Sequence, residues 1–241
     1  MQQRSVATSV AAYGTTAQLL RSSTSHFEAV CASIDRPRHA LWARGVKRLI
    51  DIVVSAALLV ALSPLLLALA IAVRWTSGGP AIFAHSRCGL GGRLFRFHKF
   101  RSMVIDAEAR KRELLHLNEM RGAAFKIARD PRITRFGRLL RKYSLDELPQ
   151  LWNVLLGDMS LVGPRPPTPS EVLAYTHRQA QRLSVVPGIT GLWQVSGRNQ
   201  ITSFEQWVEL DLAYIRQWSL WLDLRILART LPVVLGAKGS C

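Results

Sequence analysis

The chain has 241 residues, a length that suits one compact domain. Its 32 Lys and Arg against 16 Asp and Glu give a formal charge of +16, apolar residues make up 49% of it, and mean hydropathy is +0.11. A wholly disordered chain is excluded, because that state needs few apolar residues together with high charge. Three scattered cysteines, Cys31, Cys88 and Cys241, argue against a disulfide scaffold and a paired-cysteine zinc site and fit a reducing compartment. A chain both this basic and this apolar has two usual partners: nucleic acid, or an anionic membrane surface with a phosphorylated substrate beside it.

Residues 1–40 carry Ser, Thr, Ala and Gln with little periodicity and are expected to form a mobile leader. They lack the uninterrupted apolar core of a cleaved secretory signal. From Ile52 to Val73 the chain runs 22 residues without a charge. As a straight helix this stretch measures about 33 Å, enough to cross a bilayer core of roughly 30 Å. Ser63-Pro64 stands at its middle, where proline removes a backbone hydrogen bond and kinks a helix. Arg44, Lys47 and Arg48 precede the stretch and Arg74 follows it, and basic flanks prefer the cytoplasmic side. Two basic ends and a central breaker argue for a re-entrant hairpin; a kinked spanning helix is the open alternative.

Gly78-Gly79-Pro80 marks a turn. Residues 81–84 start a strand, Gly89, Gly91 and Gly92 punctuate a hairpin, and Leu94 to Phe100 alternates apolar and basic residues with the period of a half-exposed strand. Arg87, Arg93, Arg96, Lys99 and Arg101 fall between His85 and Arg101 without an acid. Such a block is either a solvated or lipid-facing surface or a seat for anionic headgroups or a diphosphate. Residues 104–121 read as one charged amphipathic helix, and Lys126 to Lys142 holds seven Lys and Arg against Asp130 alone.

That basic run ends at an isolated acidic pair, Asp146-Glu147, in a segment expected to open a helix. Ser144 as N-cap with Glu147 at N3 is a capping box, although Pro149 then falls at N5 and removes an intrahelical bond. Asp146 as N-cap places Pro149 at N3, where no partner is needed. Either register puts a carboxylate in the first turn, where helix dipole and nearby cations favour its ionised form. An ionised carboxylate is what a nucleophile or a metal ligand requires. Capping and catalysis both remain open on the pattern alone.

Further on, Arg165 stands between Pro164 and Pro166, a rigid presentation of a bidentate phosphate binder. Residues 187–199 form a Gly-rich loop and short strand ending in Arg198 and Asn199. Residues 204–218 form an amphipathic helix carrying Asp211. Trp218 to Val234 reads as a helix interrupted near Pro232, either lying on a membrane with Trp218 and Trp221 as anchors or packed on the core.

Taken in order, KR-LID at 47–51, the Ser63-Pro64 break, KFRSM at 99–103, SLDELPQLWNVL at 144–155, GDMSLVGPRP at 157–166, PGITGLWQVSGRN at 187–199 and Asp211-x-x-Tyr214 resemble the bacterial sugar transferase family, the monotopic polyprenyl-phosphate phosphoglycosyl transferases. The resemblance covers about residues 44–240. Larger relatives carry four further membrane helices and another domain in front, so the chain is similar to the small type. Its C-terminal TLPVVLGAKGSC resembles members that start exopolysaccharide synthesis with a hexose-1-phosphate; Cys241 stands where the family often ends on an aromatic residue.

The resemblance implies an α+β, mostly helical fold: leader 1–40, re-entrant membrane helix 41–76 broken at Ser63 and Pro64, and a cytosolic, membrane-surface catalytic domain 77–241 with interfacial helices. It implies transfer of sugar-1-phosphate from a UDP-sugar to polyprenyl (undecaprenyl) phosphate, releasing UMP, with galactose and glucose both plausible and galactose favoured. Asp146 is then the nucleophile and Glu147 the Mg2+ partner, Asp146 being a second metal contact. Lys99, Arg101, Arg165 and Arg198 are expected to surround the phosphates, and Asp211 to contact donor or metal. The implied place is the cytoplasmic face of the bacterial inner membrane, with inner-membrane lipids as partners, a homodimer among the expected assemblies, and no nucleic acid. Two other classes stay in view: a membrane-tethered nucleic-acid binder, supported by charge, and a non-catalytic scaffold for polysaccharide assembly.

Overall fold

Leu41–Ala61 and Ser63–Ser77 form two helices, α2 and α3, bent by 65° at Leu62. Pro64 lies in the first turn of α3, where its missing N–H leaves no intrahelical bond unmade. Ser63 Oγ donates to the Val60 carbonyl at 2.8 Å, closing the break from the other side. The expected interruption at Ser63-Pro64 is therefore present. In a computed structural model, the structure describes residues 26–35, 37, 40–111, 113–119, 127, 129–197, 201 and 203–236. Among them no single helix is long and apolar enough to cross a membrane, but the bent pair passes that test of length and composition together.

A short helix, α1, is described over residues 26–32, inside the stretch expected to be a mobile leader. Val30 is buried with Phe27 and Ile34 beside it, and Gln181 Nε2 donates to the Ser33 carbonyl at 2.9 Å. Residues 27–34 thus belong to the packed fold, because their apolar side chains reach the main core.

The hairpin forms as expected. β1 (Ile82–Cys88) pairs antiparallel with β2 (Leu94–Phe100), with Phe83 opposite Lys99. Phe95 and Phe97 enter the core, so the period of two puts Lys99 on their face. The single helix expected over 104–121 is not formed: α4 covers Ala107–Lys111, and Leu115–Leu117 is a separate 3-10 turn. Next comes α5 (Arg135–Lys142), N-capped by Thr134 Oγ1, which accepts from Gly137 N at 2.9 Å. Gly137 is fixed by packing: a Cβ there would lie 2.0 Å from the Ser102 carbonyl oxygen. This close approach lays α5 against the end of β2.

After α5 a 3-10 turn, Leu145–Glu147, leads into α6 (Gln150–Leu156). β3 (Ser160–Val162) pairs in parallel with β4 (Gly188–Thr190). Between the two strands lie α7 (Pro169–Val172) and α8 (His177–Ala180), each opened by a complete capping box, on Thr168 with Glu171 and on Thr176 with Gln179. α9 (Leu192–Val195), α10 (Phe204–Gln217) and α11 (Leu220–Leu235) complete the chain. The helix expected over 204–218 is α10. The expected interruption at Pro232 is absent, since α11 continues through it. One face of α11 carries buried Ile226, while Trp221, Leu224 and Leu231 stay exposed on the other.

The mostly helical α+β class holds. Its main core gathers Phe95, Phe97, Val154, Val162, Val172, Phe204, Val208 and Ile226. A second cluster joins α3 to the rest: Leu69 and Val73 pack with Phe100 and Leu140, and Leu145 and Leu148 lie against them. Each such buried aliphatic or aromatic side chain stabilises by roughly 1.5–3 kcal/mol, and through Leu145 and Leu148 this cluster docks α3 against the acidic turn.

Polar contacts dock α2. Lys47 Nζ donates to Asp223 Oδ2 at 2.6 Å and to the Val162 carbonyl at 3.1 Å. Arg48 spans the C-terminal end of α6, donating to the Val154 and Leu155 carbonyls at 2.5 and 2.7 Å. Asp51 is buried and accepts from Ser160 Oγ and Leu161 N at 3.1 and 3.0 Å. Lys47 and Arg48, expected as a basic membrane flank, are therefore also the joint between the membrane-type helix and the domain.

Candidate active site

Asp146 and Glu147 sit in the Leu145–Glu147 turn, preceded by Ser144 at φ 53°, the one non-glycine residue with positive φ among those described. Neither proposed cap is used. Ser144 makes no side-chain cap bond, and Pro149 is the N-cap of α6. The pair stands outside the α-helix, which begins only after Pro149. That removes the capping explanation and leaves two carboxylates presented on a strained turn.

Their surroundings differ. Glu147 Oε1 accepts from Arg165 Nη1 at 3.2 Å. Asp146 is only 7% exposed, yet no described residue donates a hydrogen bond to it. Its electrostatic neighbours are Glu147, Lys99, Arg141 and Arg165. Burial pushes the Asp146 carboxyl above its ordinary range and Glu147 adds to that, while the three cations pull it down.

The cations come from separate elements. Lys99 projects from β2, its ammonium 5.6 Å from the Phe83 ring centre. Burial first, then Arg141, lowers its pKa to about 8, against the pull of Asp146. Arg141, in the last turn of α5, is fixed by donating Nε to Ser102 Oγ at 3.0 Å. Arg87, on β1, donates to the Pro166 carbonyl at 2.9 Å and lies 5.4 Å from the Phe97 ring centre. Arg141 neighbours Asp146 and was not singled out in the sequence, whereas Arg87, named there only within the basic block, neighbours Lys99 and Arg165. The signal for Arg87 was present in the strand period, which sets it on the face of Phe83 and His85.

Of the other expected site residues, Arg101 turns to the chain before β1, donating Nε to the Pro80 carbonyl at 3.0 Å. Arg198 lies outside the described residues. Asp211 is buried in an ion pair: Arg182 Nε donates to its Oδ2 at 2.8 Å. Burial pushes the Asp211 carboxyl up to about 6 while Arg182 opposes. The structure thus joins Asp146, Glu147, Lys99 and Arg165 and sets Asp211 with Arg182.

Among the described residues no group of three or more His, Cys, Asp and Glu side chains is placed to hold a metal. The two adjacent carboxylates nevertheless fit Mg2+, which keeps several waters and is held through one or two carboxylates plus substrate phosphates.

A separate cavity of about 310 Å3 opens at the other end of α6, beside Gly157, Met159 and Trp218. Lys47, Arg48 and Asp51 line it, and Lys47 Nζ, both Arg48 Nη atoms and Asp51 Oδ1 are engaged in docking α2.

Residues 42–237 match the bacterial sugar transferase family, and the chain belongs to that family. It is 58% identical over 163 residues to galactosyl transferase CpsE of Streptococcus agalactiae, covering 68% of this chain and 36% of that protein. It is 47% identical over 201 residues to undecaprenyl-phosphate galactose phosphotransferase of Salmonella typhimurium, covering 82% of this chain and 42% of that protein. It is 42% identical over 212 residues to the UDP-glucose:undecaprenyl-phosphate glucose-1-phosphate transferase of Xanthomonas campestris, covering 85% of this chain and 41% of that protein. The matched region is about two fifths of the length of these relatives.

Proposed function

We propose that the chain transfers a hexose-1-phosphate from a UDP-sugar to a polyprenyl phosphate, in the first membrane step of exopolysaccharide synthesis. The observation that carries this is the acidic turn. Asp146 is buried, unclaimed by any hydrogen bond from a described residue, and flanked by Lys99, Arg141 and Arg165. A structural carboxylate in such surroundings would be paired; a nucleophile has to be free. The activities for which the Salmonella and Xanthomonas relatives are named supply the acceptor class, and the latter supplies the donor class. Galactose and glucose both occur among them, so the sugar stays with the experiment.

In this scheme an Asp146 oxygen attacks the sugar-proximal phosphorus of the donor. The bond from that phosphorus to the bridging oxygen breaks, and UMP leaves with the electron pair. The aspartyl phosphosugar is then attacked by an oxygen of the polyprenyl phosphate, which restores the Asp146 carboxylate and yields polyprenyl-diphosphate-sugar. Glu147, beside it, is the residue suited to hold Mg2+, which supplies charge neutralisation for the diphosphate when bound. Lys99, Arg141 and Arg165 stabilise charge developing on the transferred group.

The bent α2–α3 pair supports a re-entrant seating on the cytoplasmic face. Its 65° bend, its exposed apolar residues such as Val53, Val60 and Leu67, and exposed Trp42 and Trp75 at its two outer ends suit one leaflet. That seating brings a lipid phosphate to the level of the acidic turn, which α3 supports from below.

The test is UMP release from a panel of UDP-sugars with undecaprenyl phosphate and Mg2+ in detergent. Release with one or more sugars, lost in Asp146→Asn, supports the proposal. No release from any, with tight salt-sensitive polynucleotide binding instead, overturns it.

A further inference from the structure

Four consecutive carbonyls, from Pro164 to Pro167, each accept a hydrogen bond, from β4, from Arg182 and, for the last two, from neighbouring residues of β1. Gly188 N donates to Pro164 O at 2.9 Å, Arg182 Nη2 to Arg165 O at 3.3 Å, Arg87 Nη1 to Pro166 O at 2.9 Å and Cys88 N to Pro167 O at 2.9 Å. Pro164, Pro166 and Pro167 have no N–H to donate, so these carbonyls carry the segment's polar anchoring. The Arg165 side chain leaves this segment and meets Glu147.

The Arg182 guanidinium is the pin at Arg165 itself, and all three of its nitrogens are engaged. Nε donates to Asp211 Oδ2 at 2.8 Å, Nη1 to the Tyr175 hydroxyl at 2.7 Å and Nη2 to the Arg165 carbonyl. The group lies 5.0 Å from the Trp207 ring centre and 5.4 Å from that of Phe204. Arg182 is 3% exposed and Asp211 1% exposed, so neither meets a substrate from solvent. A lysine would keep the charge but not three donors in a fixed fork.

We infer that the buried Arg182–Asp211 pair is a positioning device for the reaction: it fixes the Arg165 backbone so that the Arg165 guanidinium stands over Glu147 and the transferred phosphate. The inference rests on the proposed function, since Arg165 must bind substrate phosphate. It assigns the Asp211 carboxylate to orienting Arg182, not to the donor or a metal. A purely structural pair would bear on how much protein folds. A positioning pair acts through Arg165, and its effect vanishes when the Arg165 side chain is gone.

The experiment is a double-mutant cycle on the detergent-purified protein, with UMP release and the thermal unfolding midpoint measured for each variant. Arg182→Lys and, as the milder change, Tyr175→Phe are made alone and in an Arg165→Ala background. Tyr175→Phe removes only the hydroxyl that orients Nη1 and keeps the ring, so it preserves folding if Arg182→Lys does not. The expected result is a fall of about tenfold in kcat/KM for Arg182→Lys, with a raised KM for the donor, a smaller fall for Tyr175→Phe, and less than about twofold further loss from either in the Arg165→Ala background. Equal losses in both backgrounds, or losses that merely follow the unfolded fraction, overturn this inference and leave the proposed function standing. Absence of UMP release from the unaltered protein overturns both.

Discussion

Arg165 Nη1 donates to Glu147 Oε1 at 3.2 Å, while Asp146, one residue earlier, accepts no hydrogen bond from any described residue. Adjacent carboxylates on one turn thus have different jobs open to them. Glu147 is oriented by a cation; Asp146, which takes no hydrogen bond from a described residue, keeps its oxygens available within the site. In the proposed reaction this division suits Asp146 to the nucleophile's part and Glu147 to the metal's side.

Asp146→Asn is therefore expected to abolish UMP release, by about 10^4-fold or more, as loss of a nucleophile does. The substitution is isosteric and removes no hydrogen bond from a described donor, so the thermal midpoint should hold or rise as a buried charge is relieved. Glu147→Gln should retain more activity but need more Mg2+. Turnover in Asp146→Asn above a few per cent of the unaltered protein would take the nucleophile away from Asp146.

Rate against pH reads the electrostatics directly. The Lys99 pKa is lowered to about 8, chiefly by burial and then by Arg141. Lys99 is charged below that value and neutral above it. Because kcat/KM reports groups of the free enzyme, its alkaline limb should fall near pH 8. Lys99→Arg keeps its charge to far higher pH and should move that limb up by at least a unit. On the acid side, burial and Glu147 raise Asp146, so activity should be lost at higher pH than an ordinary carboxylate predicts. An unmoved alkaline limb in Lys99→Arg assigns it to another group.

How much of this was legible beforehand follows from which signals are local. The helix break at Ser63-Pro64, the hairpin around Gly91 and the acidic pair are spelled out within a few residues, and each appears where expected. Arg141 stood in a run of like charge, where only the fold decides which cation turns inward, whereas the strand period already set Arg87 on the face of Phe83 and His85. Asp211 was expected at donor or metal because the resemblance implies it, and a resemblance does not show what the side chain meets. Its partner Arg182 lies 29 residues earlier, a distance no periodicity bridges. The close approach of the two Gly-rich motifs was equally invisible: a Cβ on Gly188 would lie 2.0 Å from Gly163 N, a contact made only after β3 and β4 pair.

The joint between α2 and the domain should be sensitive to single changes. Asp223 receives Lys47 Nζ at 2.6 Å and Trp218 Nε1 at 3.2 Å, and the Tyr214 hydroxyl lies 2.8 Å from its other oxygen. Lys47→Met removes the cation and leaves the carboxylate with neutral donors only. Breaking a mostly buried pair in this way costs about 3 kcal/mol. Thermal unfolding in detergent should show a clear drop in midpoint, while surface Arg93→Met, which breaks an exposed pair with Asp158, should change it little. Equal drops in the two variants would mean that Lys47 does not carry the joint.

Topology provides the last test. In the re-entrant reading both ends of the bent pair face the cytoplasm, and Pro64 with Ser63 sets the bend of 65°. Trp42→Cys and Ser77→Cys, each in a background with the native cysteines replaced, place one thiol near either end. On intact cells an impermeant thiol reagent should reach neither until the membrane is opened. Ser63→Leu combined with Pro64→Leu restores an unbroken apolar helix of about 33 Å, long enough to cross. In that background the two ends should part, with one thiol labelled from outside. Activity should fall as well, because α3 no longer returns Leu69 and Val73 to the underside of the acidic turn, where they meet Leu140 and Phe100. Labelling of one end in the unaltered helix pair would establish a span instead. Unchanged labelling and unchanged UMP release in the double-leucine variant would show that Ser63-Pro64 does not set the path of the chain.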